Sequence, residues 1–254
     1  IELYYSVYED GTFSEPLQIT DNELQEFNHQ IFVSENGIII SWLENSENDV
    51  FMSTGRNYVK TFSILENNFT YDTLFESDNP ITEIAYCTKN DDVAIYSLIL
   101  EDDTYVIYES FNGENSVVYE TDNQISFIDS YNDSLIFIEN NTLVMLDRTS
   151  METNIIVNEN ISNYKLISTD THKAIFTLDA SDGKSTTLYV SNYDEENNNW
   201  LPFVPLVSEG KYIRNYSPII NSMGEPQVAI NALNINSNLN DKLYDEAELY
   251  ILNG

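Results

Sequence analysis

The chain has 254 residues, of which 42% are hydrophobic and 13% aromatic, so it contains enough apolar material for a folded core and is not intrinsically disordered. Ten Lys and Arg face 43 Asp and Glu, for a formal net charge of −33. This charge repels phosphate backbones and anionic lipid headgroups. It therefore argues against nucleic acid as a partner and against insertion into a membrane. No apolar run is long enough to span a bilayer, and the first residues lack the pattern of a signal peptide.

The first predicted element is a hairpin over residues 3–17. It contains Tyr5-Ser6, then Asp10-Gly11-Thr12-Phe13-Ser14 and finally Pro16. This pattern resembles the outer hairpins of bacterial extracellular β-propeller repeat proteins and, more distantly, the Asp-box hairpins of sialidase-like proteins. The Ser-x-Asp-x-Gly order of a true Asp-box is not met, so the resemblance implies a fold and no catalytic residue.

A repeat of short strands fills the rest of the chain. Each copy has a mixed first strand, a polar turn, an apolar second strand and a third strand, and most copies add a fourth. The predicted second strands are Ile38–Trp42, Val93–Tyr96, Leu135–Ile138, Ala174–Thr177 and Val228–Ile230. The predicted third strands that follow them are Val50–Met52, Tyr105–Tyr108, Leu143–Leu146, Leu188–Val190 and Leu249–Ile251.

Four-stranded antiparallel units of this size predict an all-β fold, a β-propeller whose blades bury both faces against their neighbours. We expect one domain over 1–254, with blades at about 27–78, 79–121, 122–160, 161–209 and 214–254. Residues 1–20 would complete the ring. Because both chain ends look like third strands, the alternative to five blades is an incomplete six-bladed propeller.

The sequence contains none of several well-characterised catalytic motifs, which include Gly-rich phosphate loops and the Gly-x-Ser-x-Gly and His-Glu-x-x-His patterns. The candidate catalytic groups are the first-strand carboxylates of Glu83 and Asp129, since some propellers hydrolyse glycosides with axial acids. Equivalent positions elsewhere hold His29, Lys165 and Ser217, which supply no further acid.

Other polar and aromatic residues suggest binding. Trp200, Tyr212 and His29 are the candidate ligand-binding residues, because exposed rings stack on sugars or anchor a protein. Asp179 and Asp182 are the candidate metal ligands, since oxygen donors in turns suit Ca²⁺. No loop keeps the order of a calcium motif, so calcium is the one cofactor that the sequence leaves open.

These observations favour a non-catalytic binding or scaffolding module with a protein or carbohydrate ligand. The alternative is a glycoside-active enzyme that uses axial carboxylates, so the sequence leaves enzymatic activity undecided. Few Lys and Arg residues, together with abundant Asn, Ile and Asp, are typical of a secreted or surface protein from a bacterium with an AT-rich genome. We therefore expect an extracellular or cell-surface location.

Overall fold

The computed structural model describes most of the chain, and all of the described secondary structure is β-strand. No described helix is present that could span a membrane. The described residues are 2–34, 37–65, 68–89, 92–131, 134–157, 160–169, 172–179, 186–194, 196–197, 199–207, 211–221, 223, 225–234 and 248–253.

The N-terminal residues form two short ribbons. β1 (Tyr4–Tyr5) pairs with β4 (Leu17–Gln18), and β2 (Tyr8–Glu9) pairs with β3 (Thr12–Phe13). The hydroxyl of Ser14 accepts a hydrogen bond from the Val7 amide at 3.0 Å, which helps to close the hairpin predicted over 3–17.

Larger antiparallel sheets follow in chain order, with strands that run consecutively across each sheet. Sheet 1 contains β5 (Glu26–Ser34), β6 (Gly37–Asn45), β7 (Asn57–Leu65) and β8 (Asn68–Ser77). Sheet 2 contains β9 (Ile81–Lys89), β10 (Asp92–Glu101), β11 (Thr104–Phe111) and β12 (Glu114–Thr121). Sheet 3 contains β13 (Ile125–Tyr131), β14 (Ser134–Glu139), β15 (Thr142–Asp147) and β16 (Thr153–Val157).

The last two sheets depart from four strands. Sheet 4 contains β17 (Ile161–Ser168), β18 (Lys173–Asp179), β19 (Thr187–Asp194), β20 (Asn199–Trp200) and β21 (Val204–Val207), and both β20 and β21 pair with β19. Sheet 5 contains β22 (Lys211–Ile220), β23 (Pro226–Asn234) and β24 (Glu248–Asn253) among the described residues.

The prediction for the five apolar second strands is confirmed, because they lie within β6, β10, β14, β18 and β23. The turns before them are described only in part. Asn132-Asp133 and Asp170-Thr171 lie outside the described residues, as do Asn36, Asp91 and Gly224 of the other three turns.

One strand prediction was wrong. Val50–Met52 is not the third strand of sheet 1 but part of a loop, residues 46–56, which we name the rim loop. The true third and fourth strands are β7 and β8. Met52 has a φ of 54°, a left-handed conformation that does not fit a strand, and side-chain hydrogen bonds described below hold the loop in its own shape.

Two compact units divide the chain, Ile1–Phe137 with Leu146–Thr153, and Ile138–Met145 with Asn154–Gly254. In the first unit, apolar residues of sheets 1 and 2 form one buried cluster that includes Leu43, Val59, Ile84 and Ile99. In the second unit, Phe176, Val190, Ile213, Val228 and Ile230 form the equivalent cluster of sheets 4 and 5. In each cluster, one sheet packs against the next, and this packing buries the apolar side chains between them.

The central strand of each of the first two sheets is buried on both faces. In β10 every residue from Ala94 to Ile99 is buried, and in β6 the residues from Ile40 to Asn45 are. A strand covered on one face would alternate buried and exposed side chains. The single cysteine of the chain, Cys87, is buried in β9.

We predict that Ile99→Ala lowers the free energy of unfolding by about 2–5 kcal/mol, because Ile99 is fully buried in the cluster of sheets 1 and 2. Urea unfolding would measure the loss. Ile155→Ala is the matched control, since Ile155 is 64% exposed, and it should change stability little. Equal losses in the two variants would contradict the stacking of these sheets.

Candidate functional site

The first strands of the sheets are irregular at a recurring point. In β5, Asn28 and His29 together occupy the place opposite Trp42, which is a β-bulge. Similar register shifts occur in β9, β17 and β22. A bulge removes backbone groups from the sheet ladder, so those groups need other hydrogen-bonding partners.

Glu83 bonds to two backbone amides of a neighbouring first strand. Its two carboxylate oxygens accept hydrogen bonds from the backbone amides of Phe127 and Ile128, each at 2.8 Å. Phe127 has a φ of 55°, the left-handed region that bulky residues rarely adopt. Burial raises the pKa of Glu83, and the two amide donors oppose that rise. Glu83 therefore joins β9 of sheet 2 to β13 of sheet 3 through backbone hydrogen bonds.

Other polar side chains join successive first strands in the same way. Gln30 Nε2 donates to the Ile84 carbonyl at 2.7 Å, which links β5 to β9. In the second unit, Lys165 Nζ donates to the Tyr216 carbonyl at 2.7 Å, which links β17 to β22. Polar side chains of the first strands thus link neighbouring sheets by hydrogen bonds. Lys165 is one of them, since its ammonium group bonds to the Tyr216 carbonyl.

A cavity of about 570 Å³ lies in the first unit, where β5, β9 and β13 meet the rim loop. Glu83 lines it, together with the bulge residue Asn28 and the strand residues Gln30 and Ile128. The rim loop contributes Val50, Phe51 and Met52. No lysine or arginine belongs to the described lining, so the carboxylate of Glu83 is its charged group.

The rim loop is held by its own polar side chains. Asn45 Oδ1 accepts hydrogen bonds from the amides of Glu47 and Asp49 at 2.8 and 2.9 Å. Asn45 Nδ2 donates to the Thr54 carbonyl and to Asn57 Oδ1, both at 2.6 Å. Asn57 Nδ2 in turn donates to the Met52 carbonyl at 3.0 Å. These bonds fix the loop backbone before any ligand arrives.

Asp49 is the second anchor of the rim loop. Its carboxylate accepts the Ser53 hydroxyl at 2.6 Å and the backbone amides of Phe51, Ser53 and Thr54 at 2.9–3.0 Å. The hydroxyl of Ser53 and the Phe51 amide are the largest causes that lower the pKa of Asp49 to about 2. The carboxylate therefore stays ionised and keeps the loop ordered down to low pH.

Gly55 closes the rim loop with a φ of +72°, and a Cβ atom there would lie 2.6 Å from Ser46 Oγ. A side chain at this position would combine a left-handed backbone with a steric clash. The glycine is therefore required for the close approach of the two ends of the loop.

Apolar side chains of the cavity face water. Phe51 is 83% exposed, Val50 56% and Phe127 41%. Three lining residues, Asn28, Met52 and Phe127, have positive φ values of 50°, 54° and 55°. Exposed apolar patches and unfavourable backbone angles are common at functional sites. Both are unfavourable by themselves and persist only where the surrounding structure enforces them.

A second cavity of about 420 Å³ shares Gln30, Ile84 and Ile128 with the first and is lined by Asp129. Asp129 is exposed on β13. Partial desolvation of its carboxyl raises the pKa of Asp129, and the hydrogen bond from the Ser130 amide at 2.7 Å opposes the rise. The two predicted catalytic carboxylates therefore line adjoining cavities.

The remaining candidates do not join this site. His29 is exposed on β5 and lines neither cavity. Trp200 packs edge-on against Tyr193 with ring centroids 5.0 Å apart, and Tyr212 lies exposed on β22, both in the second unit. Asp179 ends β18, and Asp182 lies outside the described residues. Within the described part of the chain, no three His, Cys, Asp or Glu side chains group as metal ligands.

Comparison with known proteins identifies a fold and not a family. No protein-family model matches the chain, and no curated protein matches it significantly. Among solved structures, a puromycin-hydrolysing peptidase of Mycobacterium tuberculosis has a TM-score of 0.59 at 9% identity, over 91% of this chain and 36% of that protein. A puromycin hydrolase has a TM-score of 0.52 at 10% identity, over 85% of this chain and 35% of that protein.

The chain thus spans about a third of the length of these two enzymes. The WD40 domain of SCAP from fission yeast has a TM-score of 0.50 at 8% identity, over 99% of this chain and 74% of that one. WD40 domains are β-propellers built from four-stranded blades. Together with the consecutive antiparallel sheets, these similarities confirm the predicted all-β fold of the propeller type. Identities this low carry no activity across.

We predict that Glu83→Gln lowers the free energy of unfolding by about 1–3 kcal/mol, because an amide oxygen cannot serve both backbone donors and one stays unsatisfied. Urea unfolding would measure the loss. Glu114→Gln, an exposed residue of β12, is the control and should change stability little. If Glu83→Gln were as stable as that control, the carboxylate would not join the two strands.

Asp49→Asn tests the rim loop through pH. Since the pKa of Asp49 is lowered from 3.8 to about 2, its stabilising effect is complete above about pH 4 and is lost as the pH falls through about 2. The wild-type protein should therefore be more stable than Asp49→Asn near neutral pH, and the difference should shrink on acidification. Urea unfolding across this range checks the prediction, and a difference independent of pH would contradict it.

Proposed function

We propose that this domain is a non-catalytic binding module of a secreted or surface-attached protein, and that it binds a segment of a protein partner in the cavity between the rim loop and β5, β9 and β13. The observation that carries this proposal is Phe51, which is 83% exposed on a loop held by at least ten side-chain hydrogen bonds of Asn45, Asp49 and Asn57.

A fixed, exposed phenyl ring favours binding for two reasons. Its apolar area is still in contact with water, so covering it by a partner gains about 25 cal/mol per Å². The loop is ordered beforehand, so binding loses little conformational entropy. Val50 of the same loop and Phe127 of β13 also line the cavity and are exposed. Aromatic anchors of this kind dominate the energy of protein interfaces.

The negative charge of the cavities and of the whole chain limits the chemical class of the partner. Glu83 and Asp129 line the two cavities, the described lining contains no lysine or arginine, and the chain carries a net charge of −33. Such a field attracts cations and speeds the approach of positively charged ligands. We therefore propose a peptide segment with an apolar residue for the phenyl surface and a basic residue for the carboxylates.

The experiment is a peptide array probed with the folded domain, followed by affinity measurements on the best basic-apolar sequences. We expect Phe51→Ser to weaken binding at least about tenfold. Phe13→Ser is the matched control, because Phe13 is 72% exposed but does not line the cavity, and it should bind normally. Binding should also weaken as salt is raised. Equal binding by Phe51→Ser and the wild type would contradict the proposed site.

A glycoside-active enzyme is the second candidate function. It is favoured by the position of Glu83 and Asp129 in adjoining cavities, where burial raises the pKa of each carboxyl, which is the direction that a general acid needs. Asp129 is the better acid of the two, because both oxygens of Glu83 already accept backbone amides.

A panel of aryl glycosides tests this alternative. Turnover that Asp129→Asn abolishes, in a variant that still unfolds at the wild-type urea concentration, would establish the enzyme. No turnover by the wild type, together with glycan or peptide binding, would favour the binding module.

A further inference from the structure

Two buried glutamates lie opposite each other in sheet 1, and neither lines the two cavities described above. Glu26 of β5 and Glu44 of β6 are partners in the strand register, which places both side chains on one face of the sheet. Glu26 is 4% exposed and Glu44 2%. Carboxylates are seldom buried this completely unless something compensates their charge.

Glu44 is partly compensated and Glu26 is not. Glu44 Oε1 accepts the Trp42 indole N–H at 2.8 Å and is 3.5 Å from the Asn22 amide nitrogen. Both oxygens of Glu26 are buried and have no hydrogen-bonding partner in the part of the chain that the structure describes. Among the described residues, no ion pair joins either carboxylate to a lysine, arginine or histidine.

Lys60 is the basic residue of the same sheet, but it is engaged elsewhere. It lies over the rings of Tyr58 and Tyr71, at 4.8 and 5.8 Å from their centroids, and donates to Thr73 Oγ1. It therefore forms cation–π contacts and a hydrogen bond instead of an ion pair with Glu26.

An aromatic pair lies beside Glu44. The Tyr71 ring lies 5.7 Å from the Trp42 ring, whose N–H donates to Glu44 Oε1. The Asn22 amide nitrogen also faces this oxygen. These contacts orient Glu44, and its register partner Glu26 lies opposite it on the same face of the sheet.

A buried, ionised carboxylate without a hydrogen bond or counter-charge strongly disfavours folding, so Glu26 needs either a cation or a proton. We propose that the Glu26–Glu44 pair binds a divalent cation, Ca²⁺, and that this ion completes the first sheet. The donors are all hard oxygens, which Ca²⁺ prefers, whereas the nitrogen and sulfur ligands typical of zinc and copper are missing from this group of residues.

The ligand set follows from the contacts. Both oxygens of Glu26 and the carboxylate of Glu44 would supply the charge, and neutral oxygens and water would complete the flexible coordination that Ca²⁺ accepts. Two carboxylates balance the ion, and the acidic surface raises its local concentration. This inference is independent of the proposed peptide binding.

Thermal unfolding of the whole chain tests the proposal, first with a chelator and then with added Ca²⁺. We expect saturating Ca²⁺ to raise the wild-type Tm by about 5 °C or more, because an ion that binds the native state stabilises it. Glu26→Gln should match or exceed the chelated wild type, since it removes a buried charge, and its Tm should not respond to Ca²⁺. Glu114→Gln, an exposed control, should respond like the wild type.

Two results would overturn the proposal. If the Tm of Glu26→Gln rose with Ca²⁺ as much as that of the wild type, the ion would act at other acidic groups. If Ca²⁺ had no effect and the wild type alone became more stable on mild acidification, the pair would share a proton.

Tb³⁺ luminescence provides a test that does not depend on a glutamate variant. The chain has two tryptophans, so in Trp200→Phe any emission excited through indole comes from Trp42, which contacts Glu44. We expect this emission to persist in Trp200→Phe and to be displaced by Ca²⁺. Loss of the emission in Trp200→Phe would place the ion elsewhere and contradict the proposal.

Discussion

Burial of the central strands on both faces is the constraint on which the rest of the first unit depends. β6 is buried from Ile40 to Asn45 and β10 from Ala94 to Ile99, so each strand needs cover on two sides. Stacking of sheet 2 on sheet 1 through Leu43, Val59, Ile84 and Ile99 covers one side of β6. On its other side, Leu3, Tyr5 and Ile19 of the N-terminal segment pack against Ile40 and Trp42 of β6 and Phe62 of β7.

Stacked sheets bring their first strands close together. This proximity allows polar side chains of one first strand to form hydrogen bonds with the backbone of the next. Backbone groups of the first strands form hydrogen bonds with side chains of a neighbouring first strand, as the amides of Phe127 and Ile128 do with Glu83. A carboxylate on a first strand can therefore have a structural role, as Glu83 does, whether or not it also takes part in catalysis or binding. The cavities lie beside these bulges, where the strands cannot pack closely.

The central strands could be predicted from the sequence because their signal is local. Runs such as Leu135–Ile138 are apolar without alternation, which is typical of a strand covered on both faces. The failure at Val50–Met52 is also instructive. Those residues have strand-like composition, but Asn45, Asp49 and Asn57 bond to the backbone around them, and this competition depends on geometry that residue types do not reveal.

The site was harder to predict than the fold. Glu83 and Asp129 were predicted as candidate catalytic carboxylates of the first strands, and both line cavities, although their catalytic role stays a prediction. Phe51 and Phe127 were not predicted, since exposure of an aromatic residue depends on the tertiary structure. The Glu26–Glu44 pair was invisible for the same reason, because two glutamates eighteen residues apart become partners only once the β5–β6 register is known. The number of blades and the closure of the ring by residues 1–20 remain predictions.

Hydrogen exchange measured by mass spectrometry on Ile84→Ala tests the central claim most directly. Ile84 belongs to sheet 2 and packs in the cluster that it shares with sheet 1. If stacking stabilises both sheets, amides of β6 and β7 must lose protection together with those of β9 and β10. Unchanged protection of β6 and β7, with loss confined to sheet 2, would contradict the account.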